Sequence, residues 1–343
     1  MERLFEYKEV DRRFYNDVIR DFLPGKIIDA HTHIWKKGKI QSGTARTVSW
    51  PSRVADECSA EDLRETYEIL FPGKKVTPLV FGNIPKKGEF DSCNAFVEKS
   101  ALENNFPALI FSDPTWAPEM LERKILAGKF YGAKSYLSLA PENIPLDEIC
   151  IYDFFPKVHL EVLNRLCSVV MLHIPRKQRL ADPLNISQLM EIERDFPDIK
   201  LIVAHVGRAY CKGDIGDAFK ILSKSKKMFF DFSANTNAFV FEELIKAVGP
   251  KRILFGSDMP ITRMRMRRIE KDGIYANVVP RGLYGDVSGD PNMMEVDGEE
   301  AERLSFFLYE EISAFKDAAG KTGLSKTDVE NIFYTNAKGI IGI

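Results

Sequence analysis

The chain is organised around residues 26–35, which read KIIDAHTHIW. Within it, a short apolar run leads into His-Thr-His at 31–33. In a β-strand alternate side chains point to the same side, so His31 and His33 converge on one point. Two neutral imidazoles held one strand repeat apart suit a divalent ion such as zinc. The stretch therefore predicts a strand that ends in a pair of metal-binding histidines.

The composition narrows the class of protein. The chain has 343 residues, of which 45% are hydrophobic, and its formal net charge is −2. This length is normal for a barrel domain with insertions. The balanced charge predicts neither a nucleic-acid partner nor a membrane partner. With no apolar span of membrane length, no signal-peptide core and an odd count of five cysteines, we predict a cytoplasmic location.

Strand-like runs alternate with helical patterns along the chain. Near-continuous apolar runs separated by helices are what a parallel sheet buried on both faces requires. The predicted strands begin with the opening stretch and continue at 76–81, 107–111, 131–137, 169–173, 201–205, 228–232 and 252–258. Such a series favours a closed barrel over an open doubly wound sheet.

The fold prediction is therefore an α/β protein of the (β/α)8 TIM-barrel type. It is a single domain over residues 1–343, with an N-terminal helical extension at 1–25. Long loops follow strands 1 and 8, at 36–59 and 259–297, and the second is a predicted lid.

Four histidines fall at the carboxyl ends of predicted strands: His31, His33, His173 and His205. In a barrel these ends open onto one face, where sites are built. Asp258 ends the eighth strand, which lies beside the first when the ring closes. It is therefore predicted to lie next to the opening histidine pair. His159 lies in a helical pattern and is predicted to be a partly buried helix residue rather than a ligand.

An ordered set of motifs carries a resemblance to a known family. The motifs are DAHTH at 29–33, GAK at 132–134, LH at 172–173, AHVG at 204–207, FGSDMP at 255–260 and NAKGI at 336–340. In this order they resemble the amidohydrolase superfamily, in particular its amidohydrolase-related branch of metal-dependent hydrolases and decarboxylases. The resemblance spans residues 26–343 and implies a metal-dependent enzyme. It resolves the substrate poorly, because one fold hosts many reactions.

The resemblance also implies roles for the site residues. His31, His33, His173 and Asp258 would hold zinc or another divalent ion such as manganese, with one ion favoured over two. The ion would bring the pKa of a water toward neutrality. Asp258 would take the proton of that water and pass it to the leaving group. His205, the second catalytic candidate, would polarise the substrate carbonyl or orient the water.

Lys134 leaves three alternatives open. In some relatives a carboxylated lysine on the fourth strand bridges two metals, and His173 and His205 would then serve the second ion. Otherwise Lys134 anchors a substrate carboxylate, or it pairs with an acid near the rim.

The arginines predict an anionic small-molecule substrate. Arg176 and Arg208 each lie three residues past a site histidine, where either can bind a carboxylate through two hydrogen bonds. A denser basic run, Arg263, Arg265, Arg267 and Arg268, is predicted to be mostly solvated, as charge runs usually are. Whether the protein forms a homo-oligomer is left open.

Three functions are consistent with these residues. The favoured one is a metal-dependent hydrolase that uses an activated water on a small, carboxylate-bearing amide, ester or lactone. The second is a non-oxidative decarboxylase or hydratase of an unsaturated or aromatic acid, in which Asp258 protonates carbon. The third is a non-catalytic barrel with a structural metal. An aspartate among histidines on the open face counts against it, because this set suits an open coordination position.

Overall fold

The computed structural model describes residues 4–41, 46 and 51–343. Of the predicted loop at 36–59, residues 42–45 and 47–50 lie outside this description. Within the described ranges, no helix combines the length and the apolar character that a membrane crossing needs.

Parallel strands form the centre of the molecule. They are β1 Lys26–His33, β2 Lys75–Phe81, β3 Ile110–Phe111, β4 Gly132–Lys134, β5 Val169–Leu172, β6 Lys200–Val203, β7 Phe229–Asp231 and β8 Ile253–Leu254. The strands β3 to β8 pair in chain order, and β1 pairs with β2. Their apolar residues are buried on both faces, as the near-continuous hydrophobic runs require.

Backbone contacts at two seams join these sheets into a ring. Between β2 and β3, Val80 and Ala108 form a parallel bridge. Between β1 and the end of β8, the Ala30 N–H donates to the Phe255 carbonyl at 2.9 Å. The predicted (β/α)8 barrel is confirmed. That the whole chain is one domain stays a prediction.

Helices alternate with the strands and continue beyond them. Their bounds are Glu9–Phe14, Pro51–Val54, Ala60–Leu70, Phe90–Asn104, Pro118–Ala127, Ile151–Phe154, Lys157–Arg165, Pro183–Asp195, Ala218–Leu222, Ala238–Val248, Gly298–Glu302, Phe307–Thr322, Lys326–Glu330 and Asn336–Ile341. Short polar side chains begin several of them. For example, Asp182 accepts from the Leu184 N–H at 2.9 Å and so caps Pro183–Asp195.

The barrel interior is a packed core. Inward side chains from several strands, among them Ile28, Leu79 and Met171, form one apolar cluster with Ile340 and Ile341 of the last helix. The barrel is therefore not a pore, and its polar side chains gather at the carboxyl ends of the strands.

The segment after β8 differs from the predicted loop and lid. It forms a three-stranded sheet, which we call the rim sheet: β9 Arg267–Lys271, β10 Ile274–Pro280 and β11 Met293–Val296. β9 and β10 are antiparallel, and β11 runs parallel to β10. Asp272 and Gly273 connect β9 and β10 with φ of 52° and 76°. Two positive φ angles in a two-residue connection are typical of a type I′ hairpin. This turn explains why β9 and β10 form a hairpin rather than an irregular loop.

The contact between β4 and β5 gives a stability prediction. A Cβ added at Gly132 would lie 1.8 Å from the Val169 carbonyl oxygen, in a backbone ladder that cannot yield. We expect Gly132→Ala to lower the free energy of unfolding by about 3 kcal/mol, measured by urea denaturation. The control is Gly320→Ala in the helix Phe307–Thr322, where an added Cβ meets nothing within 4 Å. It should be neutral or stabilising by up to about 1 kcal/mol. Equal unfolding midpoints for the two variants would contradict the prediction.

Candidate active site

β1 and β8 bring three potential ligands together at the carboxyl end of the barrel. The register of β1 against β2 shifts between Asp29 and Thr32, and such bulges re-aim side chains. The imidazole centroids of His31 and His33 lie 5.5 Å apart. The Asp258 N–H donates to the His31 carbonyl at 2.8 Å. The structure therefore places Asp258 beside the histidine pair, as ring closure predicts.

The Asp258 carboxylate faces both imidazoles. Its Oδ1 lies 3.2 Å from His33 Nε2 and 3.6 Å from His31 Nε2. Two ligand atoms of a tetrahedral zinc ion, with bonds of about 2.0–2.1 Å, lie roughly 3.3 Å apart. The spacing of these three ligand atoms therefore suits one metal ion.

The second ring nitrogen of each histidine fixes its tautomer. His31 Nδ1 lies 3.0 Å from an oxygen of Asp231, and His33 Nδ1 lies 3.0 Å from the Gly82 carbonyl oxygen. Carbonyl and carboxylate oxygens only accept hydrogen bonds, so each Nδ1 carries the proton and each Nε2 presents a lone pair. Two lone pairs and a carboxylate oxygen that face one another suit a cation. The donor set therefore fits a divalent metal, with the outer hydrogen bonds orienting its ligands.

Burial sets the charge states of these groups. It lowers the pKa of His31 to about 3, with the charge of Lys134 acting in the same direction, and it also lowers the pKa of His33. Burial would raise the pKa of Asp258, but the neighbouring His33, His205 and His31 hold that pKa below its ordinary value. Neutral imidazoles beside an ionised carboxylate are the protonation states that bind a metal.

His173 follows β5 and lies slightly apart from this group. Its ring centroid is 5.4 Å from that of His205. Its buried Nδ1 has no hydrogen-bond partner among the described residues, and burial lowers its pKa well below the ordinary value. A buried, neutral and unpaired nitrogen is suited to metal ligation. It is not among the ligand atoms of His31, His33 and Asp258 that all lie within 4.8 Å of one another.

A left-handed turn follows β6 and carries His205. The residues His205, Val206, Gly207 and Arg208 have φ of 56°, 49°, 59° and 60°. Glycine adopts this conformation freely, whereas each of the other residues costs about 1–2 kcal/mol. Strain of this kind is found mostly at functional sites. The turn brings both His205 and Arg208 to the cavity wall.

Asp231, at the end of β7, is a site residue that the sequence reasoning missed. One of its oxygens pairs with His31 Nδ1, and the other accepts from the backbone N–H groups of His205 at 3.0 Å and Ser233 at 3.1 Å. His31, His205 and Asp231 are close enough to form a second metal group. The Asp231 carboxylate and His31 Nδ1 are already paired with each other, so Asp231 is placed to orient His31 rather than to bind an ion. A carboxylate at the carboxyl end of a predicted strand was the available signal.

Lys134 lies at the same centre. Its Nζ is 2.8 Å from His31 Nε2 and 4.1 Å from the centroid of the Phe81 ring. Burial lowers its pKa to about 8, against the opposing charges of Asp258 and Asp231. No carboxylate among the described residues forms a salt bridge with it, so pairing with an acid near the rim is not observed there.

A cavity of about 150 Å³ opens in front of these groups. Its polar lining includes His33, Lys134, His173, His205, Asp258, Tyr136, Arg208, Tyr210, Arg268 and Tyr275. The site therefore joins potential metal ligands to positive charges and tyrosine rings within one small space.

Only one of the two predicted substrate arginines reaches this cavity. Arg208 lines it, with Nη1 donating to the Pro175 carbonyl at 2.9 Å. Arg176 lies outside the lining and forms a salt bridge with Asp182 at 3.0 Å. The equal spacing from a histidine does not give equal placement, because His205 begins the left-handed turn and His173 does not.

The prediction that the basic run at 263–268 is mostly solvated is wrong. Arg263 and Arg265 are 8% and 4% exposed, and Arg265 pairs with the buried Asp11 at 2.7 Å. Arg268 lines the cavity, whereas Arg267 is exposed. Alternation along β9 sends these last two neighbours to opposite faces, which a simple count of charges cannot reveal. The prediction for His159 fares better, since this helix residue is buried and its Nε2 lies 2.8 Å from the Trp116 carbonyl.

Comparison with known proteins agrees with this arrangement. Residues 28–271 match the amidohydrolase family profile. Among curated protein sequences, none matches the chain.

Solved structures share the fold. A probable 2-pyrone-4,6-dicarboxylic acid hydrolase from Acinetobacter baumannii, with citric acid bound, is 14% identical at a TM-score of 0.55, over 92% of this chain and 99% of that chain. An amidohydrolase from Burkholderia multivorans with bound zinc is 12% identical and has a TM-score of 0.58, over 92% of this chain and 99% of that chain. A dihydroxybenzoic acid decarboxylase from Polaromonas sp. JS666 contains manganese and the inhibitor 2-nitroresorcinol. It is 15% identical and has a TM-score of 0.55, over 93% of this chain and 97% of that chain.

At these identities the solved structures establish the fold alone, and the family match supplies the rest. It covers most of the chain and contains the first histidine pair, the β5 and β6 histidines and Asp258. The chain belongs to the amidohydrolase family and is an enzyme of the amidohydrolase superfamily.

Proposed function

We propose that this enzyme is a metal-dependent hydrolase of a small amide, ester or lactone that bears a carboxylate. One observation carries the proposal. The lone pairs of His31 and His33 converge with the Asp258 carboxylate beside a cavity whose wall includes Lys134 and Arg208. A metal-activated water and an anion-binding wall are thus available to the same small molecule.

His31, His33, His173 and Asp258 would hold one divalent ion, zinc or manganese. When bound, such an ion supplies Lewis acidity and an activated water at neutral pH. The unpaired Nδ1 of His173 supports a fourth ligand from β5. One ion is favoured over two because Asp231 and His31 Nδ1 of the alternative ligand group already pair with each other.

Asp258 and His205 have distinct tasks in this proposal. The Asp258 carboxylate lines the cavity and is ionised, so it accepts the proton of the attacking water and returns it to the leaving group. His205 Nδ1 lies 3.0 Å from the Ser233 carbonyl, which leaves Nε2 as an acceptor. This arrangement favours orienting the water over polarising the substrate carbonyl.

Arg208 would bind the substrate carboxylate. Its Nη1 is held by the carbonyls of Ile174 and Pro175 at 3.2 and 2.9 Å, which orients the planar guanidinium toward the cavity. A preorganised fork loses little entropy on binding a carboxylate. Lys134 adds positive charge to the wall of the same cavity.

A second candidate function is favoured by the aromatic walls. The Tyr136 ring lies 4.6 Å from the His173 ring, and Tyr210 and Tyr275 are 5.1 Å apart, measured between centroids. Flat aromatic faces suit an aromatic or unsaturated acid. A decarboxylase or hydratase of such an acid would use the same metal site, with Asp258 protonating carbon.

Metal removal tests the site itself. Dialysis against a chelator is expected to reduce turnover at least about 1,000-fold, since the activated water is lost, and added zinc or manganese should restore it. Elemental analysis should find one ion per chain, and His33→Ala should bind none. Full activity in a metal-free preparation would contradict the proposal.

The reaction type is tested on a panel of carboxylate-bearing lactones, esters and amides, with aromatic and unsaturated acids alongside. Hydrolysis of lactones and esters is followed by proton release, and hydrolysis of amides by the free amine that forms. Decarboxylation is followed by released carbon dioxide, and hydration by loss of conjugated absorbance without either hydrolysis signal. We expect metal-dependent release of protons or amine without carbon dioxide. Carbon dioxide release, or loss of absorbance without a hydrolysis signal, would replace the hydrolase by the second candidate, and no signal for any of the three reactions would count against both.

A further inference from the structure

The rim sheet contributes side chains to the cavity although most of it lies beyond the family match. The match ends at residue 271, so β10 and β11 fall outside it. Arg268 on β9 and Tyr275 on β10 nevertheless line the cavity. A segment on the open face of a barrel is a natural place for residues that select the substrate.

Arg268 is held rigidly on this wall. Its Nε donates to Asn277 Oδ1 at 2.8 Å, and its Nη1 donates to the Ala234 carbonyl at 2.7 Å. Its guanidinium carbon lies 4.5 Å from the Tyr275 ring centroid and 4.7 Å from that of Tyr210. The planar fork is therefore fixed in position, and no described residue accepts a hydrogen bond from its Nη2.

The Ala234 peptide ties Arg268 to the barrel. Glu311, fully buried on the helix Phe307–Thr322, accepts from the Ala234 N–H at 2.7 Å. The Ala234 carbonyl accepts the hydrogen bond from Arg268 Nη1. Glu311 thus acts as a positioning residue, since it holds the peptide that orients the guanidinium.

Nearby arginines form salt bridges with carboxylates, and Arg268 forms none with a described residue. Arg179, which contacts the same tyrosine pair, forms a salt bridge with Asp214 at 2.6 Å, and Arg265 has Asp11. No described carboxylate forms a salt bridge with Arg268 or with Arg208. Two uncompensated guanidinium groups on one small cavity favour ligands that carry two negative charges.

We propose that Arg268 binds a second anionic group of the substrate, so that this site selects dicarboxylates over monocarboxylates. Arg208 binds one carboxylate, and Arg268, presented by the rim sheet, binds the other. The inference rests on the proposed function for the identity of the site. It adds a specificity-determining residue and narrows the substrate class to compounds with two acidic groups.

Binding of simple acids to the zinc-loaded enzyme tests this inference without any substrate. Glutarate and butyrate share a chain and one carboxylate, and only glutarate has the second. By titration calorimetry we expect glutarate to bind the native enzyme at least about 10-fold more tightly, the size of one charge-assisted interaction. Arg268→Gln should reduce this ratio to about 1, and Arg268→Lys should leave an intermediate ratio because the charge remains but the fork is lost.

The matched control is Arg267→Gln. Arg267 is the adjacent residue of β9, points to the opposite face and lies 3.6 Å from the exposed Glu300. Its replacement should leave the ratio unchanged. If the native enzyme bound the two acids equally tightly, the inference would be overturned even if Arg268→Gln failed to fold. An unchanged preference for glutarate in a folded Arg268→Gln variant would also overturn it. A glutarate preference in an enzyme that hydrolyses nothing would overturn the proposed function alone.

Discussion

Asp258→Asn is expected to reduce kcat by about 10⁴-fold, with the protein still folded. An amide has nearly the shape of a carboxylate, but it cannot accept the proton of the attacking water. It is also a poorer metal ligand. Its Nδ2 could donate a hydrogen bond to Nε2 of His31 or His33, which lie 3.6 and 3.2 Å from Oδ1, and so compete with the metal for these lone pairs. The measurement is kcat on a substrate found in the panel, together with the metal content of the purified variant.

The control for this loss is Asp182→Asn. Asp182 is a similarly buried carboxylate that pairs with Arg176 and caps a helix, but it does not line the cavity. Its replacement should cost about 1–3 kcal/mol of stability and leave kcat within a few-fold. If Asp258→Asn retained a tenth of the native kcat with metal bound, Asp258 would not be the proton acceptor.

Asp231→Asn is expected to weaken metal binding by about 10–100-fold, although Asp231 is not one of the four proposed ligands. The asparagine oxygen can still accept from the N–H groups of His205 and Ser233. Its amide nitrogen then faces His31 Nδ1, which must become an acceptor. The His31 proton moves to Nε2, and the nitrogen that should bind the metal is lost. Competition with a chromophoric chelator measures the affinity.

Ser233→Ala separates this effect from general disruption. The Ser233 hydroxyl donates to Asp231 and lies 3.4 Å from His31 Nδ1, but it does not decide which His31 nitrogen is protonated. The variant should bind metal within a few-fold of the native enzyme. If Asp231→Asn bound metal as tightly as Ser233→Ala, the carboxylate would not control the tautomer.

The pattern of apolar residues along the sequence predicts most of the fold. Buried parallel strands leave long apolar runs in the sequence, and strand ends in a barrel share one face, so His31, His173, His205 and Asp258 could be grouped before any coordinates. The rim sheet was also readable in part. Asp272-Gly273 before the β-prone run at 274–280 is a hairpin signal, whereas the charged residues at 267–271 give no strand pattern.

What the sequence could not supply is the direction of side chains. Asp231 matters through hydrogen bonds to β1 and to the turn after β6, and a single residue in the seventh strand carries no trace of those partners. Arg176 and Arg208 have the same spacing from a histidine but different backbone conformations. Arg267 and Arg268 are alike in charge, and only alternation along the strand separates them.

The left-handed turn at 205–208 has a consequence for protein engineering. Its non-glycine residues store conformational free energy, so a search for stabilising mutations would select glycine at Val206 or Arg208 early. Such changes would relax the segment that aims His205 and Arg208 at the cavity. Thermal tolerance and activity are therefore opposed at this turn, and a stabilised version of the enzyme is better sought among the helices on the outside of the barrel.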